Sequence, residues 1–257
     1  MNIDIRTRKF YDCHCHILPG LDDGARSLKE TKQLLRREYM EGIRTIIATP
    51  HFQPSRWKQN ADRMNIALQQ TRCLAKQIDP DFRIYLWNEA YWEDGLIYYL
   101  KNGDCRSIGD GYILIENRPD SDEDTLYRMA DILTANNYIP VFAHIERYLV
   151  VRKRKKIVDN LKKAGAWIQV NSDSITGKNG FRTAMFCRML LKNKKIDLLG
   201  TDSHRVDFRP PEFRNCTEYI KKNTSRGYFK LLMNENPRKL LKKEEVYDGD
   251  QTKTAMV

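Results

Sequence analysis

The sequence lacks any long hydrophobic run. No stretch approaches the ~18 consecutive apolar residues of a membrane-spanning helix, and the N-terminal MNIDIRTRKF has no apolar segment of the kind a secretory signal carries. A cytoplasmic protein is the expectation. The six cysteines fit it: Cys13, Cys15, Cys73, Cys105, Cys187 and Cys216 are scattered and form no C-x-x-C pair. A disulfide scaffold is not expected in a reducing compartment, so most of them read as small buried apolar residues. Familiar nucleophile motifs are missing too. A cysteine phosphatase needs an arginine six positions after its cysteine, and here those positions hold Pro19, Leu21, Asp79, Gly111, Asn193 and Lys222. Neither a G-x-S-x-G elbow nor a G-x-x-x-x-G-K-[ST] phosphate loop occurs.

What is present is a basic chain of 257 residues with a formal net charge of +11. Such a charge speaks to partners rather than to fold. Anionic substrates, nucleic acid and a lipid surface are all compatible with it. The charge, however, lies in short clusters such as RKRKK (152–156) and KNKK (192–195) inside expected helices. Solvated helix faces account for that better than a nucleic-acid patch, which would come with a recognisable module. The length matches the roughly 250 residues that one α/β barrel commonly takes. Residues 1–247 therefore read as a single domain, followed by a polar, frayed tail at 248–257.

Short β-rich runs alternate with longer amphipathic segments. The first run ends at His16. SLKETKQLLRREYMEG then reads as a helix opened by a Ser27–Glu30 capping box and stopped by Gly42. Further strands are expected at 44–50, 82–89, 110–116, 138–144, 166–172 and 195–204, with helices at 58–79, 122–137, 153–165, 178–194, 211–222 and 225–242. Alternation of this kind implies a parallel sheet, open or closed into a barrel, here of seven strands.

Histidine is scarce, and all five copies fall in one positional class. His14 and His16 follow the first strand, His51 follows RTIIATP, His144 follows IPVFA, and His204 follows IDLLGTDS. Glu89 and Glu116 end two more strands, and Asp202 stands two residues before His204. In parallel α/β proteins the C-terminal strand ends share one face, where sites are built. Any one of these residues alone would read as a satisfied polar group; together they point to a metal site. Residues i and i+2 of a strand point the same way, so H-x-H and D-x-H each offer two ligands to one ion. The set exceeds one tetrahedral site, so two or three ions are expected. Nitrogen and oxygen donors without thiolate suit manganese, iron or zinc, and suit calcium or magnesium less. Cys13 and Cys15 alternate with the histidines and should pack on the strand's other side. Multi-metal sites of this type hydrolyse phosphate esters. Arg147 and Arg209, on loops at the same mouth, are candidates for binding the remaining phosphate charge, or for capping a carboxylate. Asp12 is expected to orient a histidine, and Glu146 to do the same or to pair with a basic helix.

The blocks DCHCHILPGLDDGARSLKET, RTIIATPH, NEAYW, YILIE, VFAHIERY, IQVNSDSITG, TDSHRVDFRPP and NENPRKLL resemble, in order, those of the polymerase-and-histidinol-phosphatase (PHP) family. Among its members they are most similar to the manganese-dependent protein-tyrosine phosphatases of capsular and exopolysaccharide operons. The resemblance runs from about residue 10 to 242. It implies an α/β fold, a distorted seven-stranded (β/α)7 barrel, with three metal ions at the C-terminal strand ends. Manganese is the implied metal, with iron, zinc or magnesium as alternatives. Carried over by position, His14, His16, His51, Glu89, Glu116, His144, Asp202 and His204 match the ligands, with Glu89 as a bridge. Arg147 and Arg209 match the phosphate-binding arginines. The implied substrate is phosphotyrosine in the tail of a membrane-associated bacterial tyrosine kinase that controls polysaccharide export. The enzyme would then work in the cytoplasm, at the inner face of the membrane and in reach of anionic lipid. An ion-activated water, and no cysteine, would be the nucleophile. Three departures stand out: Trp87 replaces a glycine usual two residues before the bridging glutamate, extra residues precede the first strand, and Phe52 follows His51 where a second histidine is frequent. The other readings are a phosphatase of a small metabolite such as histidinol phosphate, a 3′–5′ exonuclease, and a metal-stabilised kinase-binding protein without activity.

Overall fold

The computed structural model describes residues 9–57 and 60–243. The expected tail at 248–257 lies outside the described residues, as do positions 58 and 59 of the second expected helix. Nine strands are formed among the described residues: β1 (Phe10–Cys15), β2 (Ile43–Ala48), β3 (His51–Phe52), β4 (Arg83–Leu86), β5 (Glu89–Tyr91), β6 (Tyr112–Glu116), β7 (Ile139–Phe142), β8 (Trp167–Asn171) and β9 (Leu198–Gly200). Every pairing between them is parallel, in the orders β1-β2-β4 and β3-β5-β6-β7-β8-β9.

Nine strands rather than seven arise because two passes break in the same place. Pro50 has no N–H to offer the ladder, and Thr49 N–H turns to the Cys15 carbonyl at 2.9 Å. The next pass breaks beside it at the buried Asn88, whose Nδ2 donates to the Pro50 carbonyl at 3.0 Å. Beyond the break Glu89 N–H donates to that same carbonyl at 3.2 Å. Expected strands 44–50 and 82–89 thus become β2 with β3 and β4 with β5. The sheet curls back on itself where His16 N–H donates to the Ser203 carbonyl (2.8 Å) and Asp202 N–H to the His14 carbonyl (2.7 Å).

Two apolar layers follow from the strand period of two. The inner one fills the curl with Cys13, Ile47, Tyr85, Trp87, Tyr112, Leu114, Val141 and Leu198, closed below by Leu240 and Leu241. Trp87 thus occupies the lumen, fully buried, with its indole N–H on the Tyr112 carbonyl at 3.0 Å. The outer layer packs the strands' other faces against the helices. Cys15 belongs to that layer, as expected, but Cys13 lies in the lumen. The register of β1 against β2 shifts between Asp12 and Cys15, and such a bulge resets the alternation.

The helices hold their expected places with local changes. Helix Leu28–Met40 is capped by Ser27, whose side chain accepts from Glu30 N–H at 3.3 Å; the Glu30 carboxylate bonds Arg26 N–H (2.7 Å) rather than completing the box at Ser27. An unexpected helix, Leu96–Asn102, stands between Gly95 and Gly103, both left-handed. The basic helix expected at 153–165 is two, Leu149–Lys153 and Lys156–Lys163. A short helix, Ser172–Thr176, was not anticipated. The last helix widens to a π-turn over Leu231–Glu235 before Asn236–Leu241, because Pro237 cannot donate to Met233. No helix among the described residues is long and apolar enough to cross a membrane.

Candidate metal centre

All eight residues singled out as ligands come together at one mouth of the curled sheet, where the breaks after β2 and β4 put His51 and Glu89 at the starts of β3 and β5 and the others at or just beyond strand ends. His14 and His16, at the end of β1, bring their Nε2 atoms within 3.3 Å of each other. Glu89, the first residue of β5, is the hub. Its Oε2 lies 3.1 Å from His14 Nε2, 3.1 Å from His16 Nε2 and 3.2 Å from His51 Nδ1. Its Oε1 meets His144 Nε2 at 2.8 Å. Glu116 closes the side nearer β6, 3.1 Å from His51 Nδ1 and 3.5 Å from His144 Nε2. Asp202 Oδ1 faces His16 Nε2 at 3.5 Å and His204 Nδ1 at 3.6 Å.

Backbone geometry allows this crowding at some cost. His144 and Asp202 adopt left-handed φ values of +30° and +50°, a region unfavourable for residues with a Cβ and common at functional sites. Gly200 is required by close approach: a Cβ there would stand 2.3 Å from the Cβ of His14. Gly24 is pressed the same way, 2.2 Å from the His16 carbonyl oxygen.

The supporting shell differs from expectation. Asp12 touches no imidazole. Its Oδ1 accepts from His14 N–H (3.1 Å) and Thr201 N–H (2.9 Å), and its Oδ2 from the Thr201 hydroxyl (2.5 Å), tying the ends of β1 and β9 together. Glu146 pairs with no basic helix; it is buried and accepts from Asn171 N–H at 3.0 Å. Orientation of His14 falls instead to Gln169, whose Oε1 meets its Nδ1 at 3.2 Å and accepts the His144 N–H at 2.6 Å. Asp22 holds His16 Nδ1 at 2.7 Å and accepts the His51 N–H at 2.9 Å. Asp23 approaches His204 Nε2 (3.5 Å) and His51 Nε2 (3.6 Å), making it a ninth possible ligand. The DDG that follows the Pro-Gly turn was the signal for both aspartates. Gln169 and Asn171 sit i, i+2 at a strand end, the rule that exposed the histidines, but amides carry no ligand signature.

The donor set fits metal ions. His14, His16 and Glu89 offer atoms within 4.8 Å of one another, as do His51, Glu89 and Glu116, and as do His16, Asp23, His51 and His204. His51 Nδ1 and Glu89 Oε2 are buried, stand 3.2 Å apart and make no well-directed hydrogen bond, an arrangement of converging lone pairs that an ion would satisfy. Electrostatics agree. Burial opposes charge on His16, but Asp22 and Glu89 override it and hold the imidazole well above its usual value. Burial and Arg147 press His144 down, while Glu116 and Glu89 push it up, to about 9. Burial would raise Glu89, yet His14 and His51 hold it well below the usual carboxylate range. His51 is raised too, by Glu89 and Glu116 against burial, whereas burial and His16 lower His204; the part of the site around Glu89 has a negative potential suited to cations.

Arg147 and Arg209 reach the same mouth. Both bind Asp202 Oδ2, Arg209 Nη1 at 3.0 Å, and Asn171 Nδ2 joins them at 2.9 Å. Carboxylate capping is thus their arrangement in this structure. They also line a cavity of about 250 Å³ with Asp23, His51, Glu89, Glu116 and Trp57. The cysteines offer no rival chemistry here: burial pushes the Cys13 and Cys15 thiols well up, away from thiolate.

A curled parallel sheet with a histidine–carboxylate cluster at its mouth is an arrangement suited to a metal-dependent hydrolase. The chain belongs to the capsular polysaccharide synthesis family CpsB/CapC, whose pattern it matches over residues 10–242. Tyrosine-protein phosphatase CpsB of Streptococcus pneumoniae is 28% identical over 236 residues, 90% of this chain and 97% of that protein. Tyrosine-protein phosphatase YwqE of Bacillus subtilis is 28% identical over 243 residues, 92% and 93% of the two chains. A crystal structure from work on YwqE and CpsB, described as unique metal-dependent tyrosine phosphatases, superposes with a TM-score of 0.81 at 29% identity, over 90% of this chain and 94% of that one. Histidinol phosphate phosphatase of Lactococcus lactis shares the fold at a TM-score of 0.58 and 15% identity, covering 84% of this chain and 94% of that one. The resemblance read from the sequence blocks and these relationships agree.

Proposed function

We propose that this chain is a metal-dependent protein-tyrosine phosphatase acting on a tyrosine kinase of polysaccharide export. The observation that carries the reading is the single mouth where five histidines meet Glu89, Glu116 and Asp202 beside two arginines. Named tyrosine phosphatases in the same family support the substrate class. His14, His16, His51, Glu89, Glu116, His144, Asp202 and His204 would hold the metal, with Asp23 in addition; three ions and manganese are the assignment we favour. When bound, such ions offset phosphate charge and lower the pKa of water into the neutral range.

The chain's own residues do the rest. Glu89, touching four histidines, spaces the donor groups. Arg147 and Arg209 exchange their contacts on Asp202 for non-bridging phosphate oxygens, where guanidinium donors stabilise developing charge. Asn171 keeps Asp202 Oδ2 satisfied as they leave. His204 turns Nδ1 to the Asp202 carbonyl at 2.9 Å, which leaves Nε2 as a lone-pair donor beside Asp23, so the departing phenol takes its proton from water. The substrate in this reading is the phosphotyrosine tail of a membrane-associated kinase, met at the cytoplasmic face, with residues 1–247 as one catalytic domain. The test is initial-rate kinetics on a phosphotyrosine peptide beside histidinol phosphate and an oligonucleotide, each with manganese. A kcat/KM highest on the peptide supports the reading; a higher value on either rival overturns it.

A further inference from the structure

Residues 53–57, just after β3, build a wall over the mouth whose chemistry the metal centre does not use. Trp57 N–H donates to the Gln53 carbonyl at 2.6 Å, and Gln53 N–H donates back to the Trp57 carbonyl at 3.2 Å, closing a tight hairpin. Ser55 pins it, its N–H and hydroxyl donating to the Glu93 carboxylate at 3.1 and 2.8 Å. Trp57 lies parallel to His51, with ring centroids 4.8 Å apart and planes 9° apart. The Arg56 guanidinium stands 3.9 Å from the centroid of the Trp57 ring. Both residues, with Gln53 and Tyr91, line the cavity that Arg147 and Arg209 also line. With one face of the indole taken by His51 and Arg56 stacked on the ring, the edge is what remains for the cavity. Arg56 itself is exposed.

We infer that this hairpin selects the substrate: the Trp57 edge packs on the aryl ring of phosphotyrosine, and Arg56 pairs with an acidic side chain beside it in the peptide. The inference rests on the phosphatase reading above. A phosphate held by Arg147 and Arg209 directs its ester group outward, past this wall. An aryl ring there meets the positive edge of the indole in the favourable edge-to-face manner, and an alkyl phosphoester forgoes that contact. A guanidinium at the rim attracts a carboxylate and repels a lysine, which is specificity rather than bulk affinity.

The test compares kcat/KM of the manganese-loaded enzyme on three peptides: phosphotyrosine with acidic flanks, phosphotyrosine with neutral flanks, and phosphoserine. Ratios between peptides cancel changes in metal loading or folded fraction. Trp57→Ala should lower the tyrosine-to-serine ratio about tenfold, and Trp57→Phe about threefold or less. Arg56→Ala should lower the acidic-to-neutral ratio about fivefold. Arg56 is at the surface, so its arm stands even if Trp57→Ala does not fold. Wild-type turnover of phosphotyrosine with both ratios unmoved in the variants would overturn this inference and leave the phosphatase reading intact. A wild type inactive on all three peptides would overturn both.

Discussion

The two ends of the barrel are built from the same parallel strands and obey opposite rules. At the base, Trp87, Tyr85, Tyr112, Leu240 and Leu241 pack without exposed polar demand, and the indole N–H of Trp87 has its carbonyl. At the mouth, five histidines and three carboxylates crowd together, and two of them, His144 and Asp202, adopt left-handed conformations. The proposed function assigns the chemistry to the second end and leaves stability to the first. The mouth can hold desolvated charge and strain because the base and the outer helical layer fix the strand ends that carry it.

That contrast can be broken from either side. The largest effect is expected from Glu89→Ala, which removes the one carboxylate shared by four histidines. Loss of several kcal/mol of transition-state stabilisation corresponds to a fall in kcat/KM of about 10³-fold or more, with the circular dichroism spectrum retained. Next is Trp87→Ala at the base. Emptying a buried indole site costs about 3–5 kcal/mol, seen as a lower denaturation midpoint, while kcat of the fraction still folded stays near wild type. Arg147→Ala should then cost about 10²-fold in kcat/KM, the scale for losing one charge-stabilising donor. A Trp87 variant that is stable but inactive, or a Glu89 variant that is active but unfolds early, would erase the distinction. The smallest effect sharpens it. Cys73 is the one exposed cysteine among the described residues, and if the nucleophile is water, as proposed, Cys73→Ser should leave kcat/KM within about twofold.

The same contrast explains what could be read without coordinates. The positional rule for strand ends was enough to gather His14, His51, Glu89, Glu116, His144 and His204, because those residue types are rare and their spacing follows the strand period. Apolar alternation and the Ser27 cap located the first strand and helix. The break at Pro50 and Asn88 was not legible as a break, since its cause is a side chain from one pass bonding the next, a tertiary contact with no local signature. Cys13 was placed on the wrong side for a related reason: a bulge shifts alternation by one and leaves no mark in composition. The roles of Asp12 and Gln169 depend on which strand ends become neighbours, so their partners, Thr201 and His144 respectively, had to be brought near by the fold first. Trp87 stood out as a departure from a glycine, and the lumen it fills supplies the physical reason.

If the proposed function holds, the mouth turns over phosphotyrosine only with metal in it. The most direct measurement is phosphate release from a phosphotyrosine peptide by the purified protein, with manganese added, after chelation, and in a His14→Ala/His16→Ala variant of verified fold. Turnover that requires manganese, disappears on chelation and is absent from the folded variant is the predicted result. Metal-loaded wild type that releases no phosphate, or turnover that survives both chelation and the double substitution, would contradict it.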